Sequence, residues 1–325
     1  MEYRPLGKTG LKVSAVGLGG NVFGPPRQDL PSSIATVHRA LELGVNLIDT
    51  AYIYNDGKSE EFLGKALAGR RDRVILASKC HLLNLAEGET VAQRIRSHCE
   101  TSLRRLGTDY LDLLQLHFPQ PQASAQEILE AFAPLVREGK VRHVGQCNYA
   151  AWRHAQSLGE STRLGLPAFA TAQHQCSLLV RGATAELLPF CEASGIGFLP
   201  YFPLAAGLLS GKYQPGQPAP AGTRGAAGSP TVSRLRTPDN ERLLVELTEF
   251  ARARDHGLLD LAFAWLLSQP AVSSVIAGVM SAAQLEANVA AGQWRLGAAD
   301  QAALAELLGP VTPHWQAEPD LASFR

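Results

Sequence analysis

Eight short apolar runs, separated by amphipathic helical segments, limit more than anything else how this chain can fold. They are SAVGLGG at 14–20, VNLIDT at 45–50, RVILASK at 73–79, YLDLLQLH at 110–117, VRHVGQCN at 141–148, AFATAQHQ at 168–175, GIGFLPY at 195–201 and SSVIAG at 273–278. Runs of this length with little polar alternation suit parallel strands covered on both faces. The segments between them read as helices from their ends. PSSIATVHRALELG starts on serines and stops at Gly44, and SAQEILEAFAPLVREG carries a Ser124-x-x-Glu127 capping box and stops at Gly139. Eight parallel strands joined by right-handed helical crossovers predict a closed (β/α)₈ barrel. The rival, an open doubly wound sheet, wants G-x-G-x-x-G leading into a helix after its first strand, and GLGGNVFG at 17–24 lacks that pattern.

The seventh connection is the exception in length. A Gly, Pro and Ala-rich stretch from Leu204 to Thr237 precedes TPDNERLLVELTEFARARDHG, where Thr237 reads as the N-cap and Pro238 as the first helical position, and then the apolar helix LLDLAFAWLLSQP. This is an insertion in one domain spanning residues 1–325, not a second domain. Thirty basic residues balance thirty acidic ones, so no field of one sign favours nucleic acid or an anionic membrane, and small molecules are the expected partners. The N-terminus lacks the apolar core of a signal peptide, and no run approaches the roughly 18 apolar residues of a membrane span. Five cysteines without a C-x-x-C pair fit neither a disulfide framework nor a zinc site, and no metal is expected. A reduced, cytoplasmic protein of undetermined oligomeric state is the expectation.

A barrel of this kind carries its chemistry at the C-terminal ends of its strands and in the loops just beyond. The second strand ends at Asp49, with Tyr54 shortly after, the third at Lys79 and the fourth at His117. Singly, each has a plain structural use: His117 as a strand-end histidine, Lys79 as a snorkelling lysine, Asp49 as a cap, Tyr54 as packing. Together they place an acid, a phenol, an amine and an imidazole on one rim. An ammonium beside a phenol favours the phenolate and lowers a pKa that is ordinarily about 10, and a carboxylate keeps that ammonium charged. A histidine nearby can hydrogen-bond a substrate oxygen and fix its angle to the phenol. Such a set suits a carbonyl, oriented by one group and protonated by another, with hydride from elsewhere.

The stretches LIDTAYIYNDGKSEEFLG, VILASKC, DLLQLHFP and GKVRHVGQCN resemble successive signatures of the aldo-keto reductase superfamily, as do YRPLGKTGLKVSAVGLGG and YFPLAAGLLSGKY. The likeness runs from Tyr3 to Asn288. It implies a (β/α)₈ barrel closed at its bottom by an N-terminal β-hairpin, and NAD(P)-dependent reduction of an aldehyde or ketone, or the reverse oxidation. It assigns Tyr54 as general acid/base, Lys79 and Asp49 as its tuning pair and His117 as the orienting group. Tyr201 matches the tyrosine that stacks on the nicotinamide, and Asn148 and Gln173 match the groups that hold its carboxamide. Where the family usually has serine before that asparagine, this chain has Cys147.

Further cofactor contacts implied by the resemblance are Gly19, Leu204 and Gly207, with Gly278, Ser281, Gln284 and Asn288 at the adenosine end. Ser281 and Gln284 read as a capping box at a helix start. Many members place lysine or arginine here to grip the 2′-phosphate of NADP, whereas this chain has Met280 and Gln284. The insertion offers a substitute. From Ala193 to Pro238 there is no Asp or Glu, while Lys212, Arg224, Arg234 and Arg236 are present. The alternative for this stretch is a solvated linker; the resemblance implies a loop, 204–237, folded over the cofactor pyrophosphate. NADP(H) is therefore expected over NAD(H). Phe23, Tyr54 and Phe118, with PQPQAS beyond, are expected to wall a pocket for a small or flat carbonyl or alcohol. Two other functions stay open: a Schiff-base lyase using Lys79 as nucleophile, and a regulatory or redox-sensing subunit that binds nucleotide on the same fold.

Overall fold

The structure, a computed structural model, describes residues 1–214 and 216–311; position 215 within the insertion and residues 312–325 of the expected 1–325 domain lie outside the described residues. Each apolar run forms a strand: β3 (Val16–Gly19), β4 (Leu47–Asp49), β5 (Ile75–Cys80), β6 (Leu111–Leu116), β7 (Val141–Cys147), β8 (Phe169–Gln175), β9 (Gly197–Tyr201) and β10 (Val275–Ala277), after a hairpin of β1 (Tyr3–Pro5) and β2 (Lys12–Ser14). Strands β3 to β10 pair in parallel and close on themselves through β10 against β3. This is the (β/α)₈ barrel expected from the alternation of strand and helix, with the N-terminal hairpin beside it.

The hairpin's position follows from two leucine-class side chains and a glycine. Leu6 and Val13 are fully buried with Leu47, Ala77, Leu113, Leu199 and Ile276, side chains supplied by five barrel strands. Gly7, at φ +53°, lies so close to the start of β9 that a Cβ there would come within 2.6 Å of the Gly197 nitrogen. Only glycine allows that approach. The hairpin thus seals the N-terminal end of the barrel.

The helices are α1 (Leu30–Glu42), α2 (Lys58–Ala66), α3 (Val91–Leu106), α4 (Ala125–Arg137), α5 (Ala151–Leu164), α6 (Leu187–Ser194), α7 (Pro230–Leu235), α8 (Pro238–Arg252), α9 (Leu258–Leu267), α10 (Ala282–Ala291) and α11 (Ala298–Leu308). Ser124 caps α4 by accepting from the Glu127 N–H at 3.1 Å, and Thr237 caps α8 by accepting from Asn240, with Pro238 in the first turn. Helix α1 differs from its sequence reading. Its cap is Asp29, which accepts from the Ser32 N–H at 2.9 Å, and Pro31 occupies the first turn, where a missing N–H costs nothing. The serines therefore lie inside the helix. The insertion is packed, unlike a solvated linker: Tyr213 and the α7 residues Val232 and Leu235 are buried in the same core as α9, and the Tyr213 hydroxyl accepts from the Gly225 N–H at 3.1 Å. No helix among the described residues is long and apolar enough to cross a membrane.

A buried histidine makes the fold acid-sensitive. His154 of α5 sits between Tyr149 and Phe190, and neither ring nitrogen has a hydrogen-bond partner among the described residues. Burial first, then nearby His174, pushes its pKa down to about 3. The unfolded chain, with a histidine near 6.5, binds the extra proton first, so this group's contribution is complete above about pH 6.5 and is lost as pH falls toward 3, at about 1.4 kcal/mol per pH unit. Tm measured from pH 7 to pH 4 should fall less steeply in His154→Leu than in wild type. Parallel curves would show that this ring is not a source of the acid sensitivity.

Candidate active site

Strand register brings the expected residues to one end of the barrel. Gly19 pairs with Asp49, Asp49 with Ala77, and Lys79 with Gln115, so the C-terminal ends of β3 to β6 form a common rim. After β4 the backbone keeps pairing with β5, through Thr50 N to Ala77 O at 2.9 Å and Tyr52 N to Lys79 O at 3.0 Å. That carries the chain to Tyr54 above Lys79. Asn55, held at φ +49°, donates to Phe23 O at 2.6 Å and ties the Tyr54 turn to the loop after β3.

At the centre, the fully buried Lys79 ammonium donates to Asp49 Oδ2 at 2.6 Å, to Thr50 O at 2.8 Å and to the Tyr54 hydroxyl at 3.4 Å. The His117 ring lies edge-on to the Tyr54 ring, with centroids 5.6 Å apart. The structure thus brings Asp49, Tyr54, Lys79 and His117 together. Burial alone would lower the pKa of Lys79, but Asp49, Tyr54 and Cys147 raise it above the ordinary lysine value, so the amine stays protonated. Tyr54 departs from the sequence argument. Its depth in the mouth raises its pKa, and the opposing pull of Lys79 moderates the rise without reversing it. His117 is held well below its ordinary pKa by burial and then by the Lys79 charge, so the imidazole is neutral and suited to hydrogen bonding.

The residues expected at the nicotinamide lie beside this group. Asn148, buried at φ +63°, where asparagine is tolerated better than most residues, donates to His117 O at 3.1 Å and accepts from the Tyr201 hydroxyl at 2.8 Å. Gln173 faces inward, donating to Asp49 Oδ1 at 2.9 Å, and accepts from the Cys147 thiol at 3.9 Å. Cys147 is 1% exposed, and burial pushes its thiol well up. The other four cysteines are also buried, free thiols.

At the adenosine end, Ser281 caps α10 by accepting from Gln284 N, and the Gln284 side chain reaches past the cap to accept from the exposed Met280 N–H at 2.8 Å. Gly278 follows β10 beside Gly19, and a Cβ there would come within 2.8 Å of Asn21 Oδ1. Asn288 is buried one helical turn beyond Gln284. On the insertion, Leu204 and Gly207 flank a tight turn, with Gly207 at φ +103° and the exposed Lys212 close by. Arg224, exposed at the surface, sits with its guanidinium 6.0 Å above the Phe202 ring, and partial desolvation by that packing followed by the neighbouring charge of Arg27 lowers its pKa. Arg236 is instead committed to Glu241 at 2.6 Å, while Arg234 is exposed. The two expected pocket walls are covered by protein: Phe23 is 0% exposed within the core, and Phe118, 1% exposed, stacks on His117 at 4.1 Å.

Two residues in this arrangement escaped the sequence reading. Gln115 Nε2 lies 3.4 Å from Asp49 Oδ1, and its Oε1 accepts from the Thr171 hydroxyl at 3.1 Å. The signal was there: Gln115 stands two residues before His117 and therefore on the same strand face. Arg27 was also missed, because its relevance depends on a loop nearly two hundred residues away.

Comparison with known proteins agrees with this geometry. The model of the Aldo/keto reductase family matches residues 15–308. Aldo-keto reductase YhdN of Bacillus subtilis is 32% identical over 335 residues, covering 98% of each chain. Versiconal hemiacetal acetate reductase of Aspergillus parasiticus is 29% identical, covering 91% of this chain and 94% of its own. A Schizosaccharomyces pombe chain named for the beta subunit of a voltage-gated potassium channel is 32% identical, covering 90% and 88%. A barrel with a hairpin at its closed end, a buried lysine joining a carboxylate to a tyrosine at the other, and a family match over most of its length make this chain a member of the aldo/keto reductase family of oxidoreductases.

Proposed function

We propose that the protein reduces a small aldehyde or ketone with NADP(H), or runs the reverse oxidation, with Tyr54 as general acid/base. The observation that carries this is the Lys79 ammonium bridging Asp49 Oδ2 at 2.6 Å and the Tyr54 hydroxyl at 3.4 Å. In reduction, His117 holds the carbonyl oxygen toward Tyr54, and Tyr54 gives it a proton while Lys79 stabilises the phenolate left behind. The nicotinamide, when bound, supplies the hydride. Tyr201, Asn148 and Gln173 would hold its ring, and Gly19, Gly278, Ser281 and Asn288 the rest of the nucleotide, with 204–237 covering it. The fit is supported by the glycines at the end of β3 and just after β10, where a Cβ would crowd its neighbours, and by the exposed N-terminus of α10. We take residues 1–325 as one cytoplasmic domain whose partners are small molecules.

A Schiff-base role for Lys79 is disfavoured, since that chemistry needs an uncharged amine and the Asp49 pair holds it protonated. The regulatory reading is favoured by one observation, the relative named for a channel beta subunit. A panel of aldehydes run with NADPH and NADH separates the two. Product exceeding one equivalent of bound cofactor per chain supports an enzyme; product that stops at one equivalent with every carbonyl supports a sensor.

Cofactor choice has its own test. With Met280 and Gln284 at the adenosine end, the pair Arg27 and Arg224 is the candidate grip on the extra phosphate, and one charge-assisted contact is worth about 1.5 to 3 kcal/mol. The kcat/KM ratio of NADPH to NADH should be moderate in wild type, fall about tenfold in Arg224→Ala, and weaken with salt. A strong ratio insensitive to both would place the phosphate elsewhere.

A further inference from the structure

From Lys79 a row of cross-strand neighbours leads away from the four residues, and beyond Lys79 the proposed chemistry has not yet used it. Lys79, Gln115, Gly145 and Thr171 are successive cross-strand partners on β5, β6, β7 and β8. Gln115 and Thr171 are fully buried. Gly145 is what lets them meet, because a Cβ there would overlap the Thr171 hydroxyl and come within 3.1 Å of Gln115 Cγ. Thr171 donates to Gln115 Oε1 at 3.1 Å, which fixes the amide so that its Nε2 points at Asp49 Oδ1. A polar group in such a place is tolerated because its bonds are made by other strands, and those same bonds fix its orientation.

We propose that Gln115, oriented by Thr171 and given room by Gly145, is a positioning residue that pins the Asp49 carboxylate beneath Lys79. A carboxylate turns easily about its last bond. Asp49 is held because Oδ2 takes the Lys79 ammonium while Oδ1 takes the amides of Gln173 and Gln115. Gln173 is expected to be drawn on by a bound carboxamide, which leaves Gln115 as the donor tied only to the protein. Without it, the carboxylate turns, Lys79 follows it away from the phenol, and Asp49's charge is felt more strongly at Tyr54. Both changes oppose ionisation of Tyr54.

This inference rests on the reading of Tyr54 as the acid, and the test separates the two. The pH dependence of kcat/KM for 4-nitrobenzaldehyde with NADPH would be compared in wild type, Tyr54→Phe, Gln115→Met and Gln115→Met/Thr171→Val. Methionine keeps the volume of glutamine, and the double variant leaves no orphaned hydroxyl, so it should fold even if the single variant does not. In both Gln115 variants the alkaline limb is expected to move up by about half to one pH unit and kcat to fall about tenfold, with NADPH affinity, read by fluorescence titration, within about twofold of wild type. A limb left at its wild-type position in the double variant overturns the proposal, whatever happens to its stability. A limb that persists in Tyr54→Phe overturns the reading of Tyr54 instead, and this inference with it.

Discussion

Tyr54→Phe is expected to lower kcat for aldehyde reduction by about 10² to 10⁴-fold while leaving NADPH binding nearly unchanged, since the hydroxyl is lost and the ring remains. The structure sets two opposing influences on the proton that is lost. The phenol's depth makes it reluctant to ionise, and Lys79, 3.4 Å from its oxygen, offsets only part of that. No other hydroxyl is bonded to Lys79 among the described interactions, so the variant keeps no hydroxyl in that place to give the proton. Single-turnover rates with NADPH and a reactive aldehyde give the measurement. A variant within about threefold of wild type would mean that the proton comes from somewhere else, and that the four residues are a structural cluster.

The second large effect concerns stability. Asp49 and Lys79 form an ion pair with side chains 4% and 0% exposed. Removing one partner of such a pair leaves a charge stranded and costs about 3 to 5 kcal/mol, whereas removing both can be close to neutral. Asp49→Leu should therefore lower the free energy of unfolding in urea by that amount, and Asp49→Leu/Lys79→Met should regain most of it. The geometry adds an asymmetry. Lys79→Met leaves Asp49 two amide donors, Gln115 and Gln173, so it should be the milder single change; Asp49→Leu leaves the ammonium Thr50 O and the Tyr54 hydroxyl but no counter-charge, and also takes the acceptor from both amides. All three variants should be inactive. Wild-type stability in all three would show that the pair contributes nothing measurable.

The barrel was legible because its evidence is local: an apolar run bounded by helix caps identifies a strand without reference to any other. The ends of those strands then nominated Asp49, Lys79 and His117, and the loop beyond nominated Tyr54. What could not be read depends on register and on depth. Gln115 looks like one polar interruption in LDLLQLH until its pairing with Lys79 and its reach to Asp49 are known. The direction of the Tyr54 shift turned on how far burial outweighs a neighbouring charge, a comparison that needs coordinates. Charge counting along the insertion suggested four interchangeable basic residues, yet Arg236 is paired with Glu241 on α8, which lies just outside the acid-free stretch. Asp29 was missed as the cap of α1 because the adjacent serines offered the same chemistry a turn too late.

The hairpin at the foot of the barrel has a kinetic meaning. With Leu6 and Val13 wedged among five strands, and Gly7 pressed to the first residue of β9, the lower end of the barrel is closed among the described residues, and under the proposed reading both guests share the upper end. Traffic through one doorway is last in, first out. A guest lying deeper must arrive before the one above it and wait for that one to depart, so an obligatory order of arrival needs no allosteric signal, only a blocked exit.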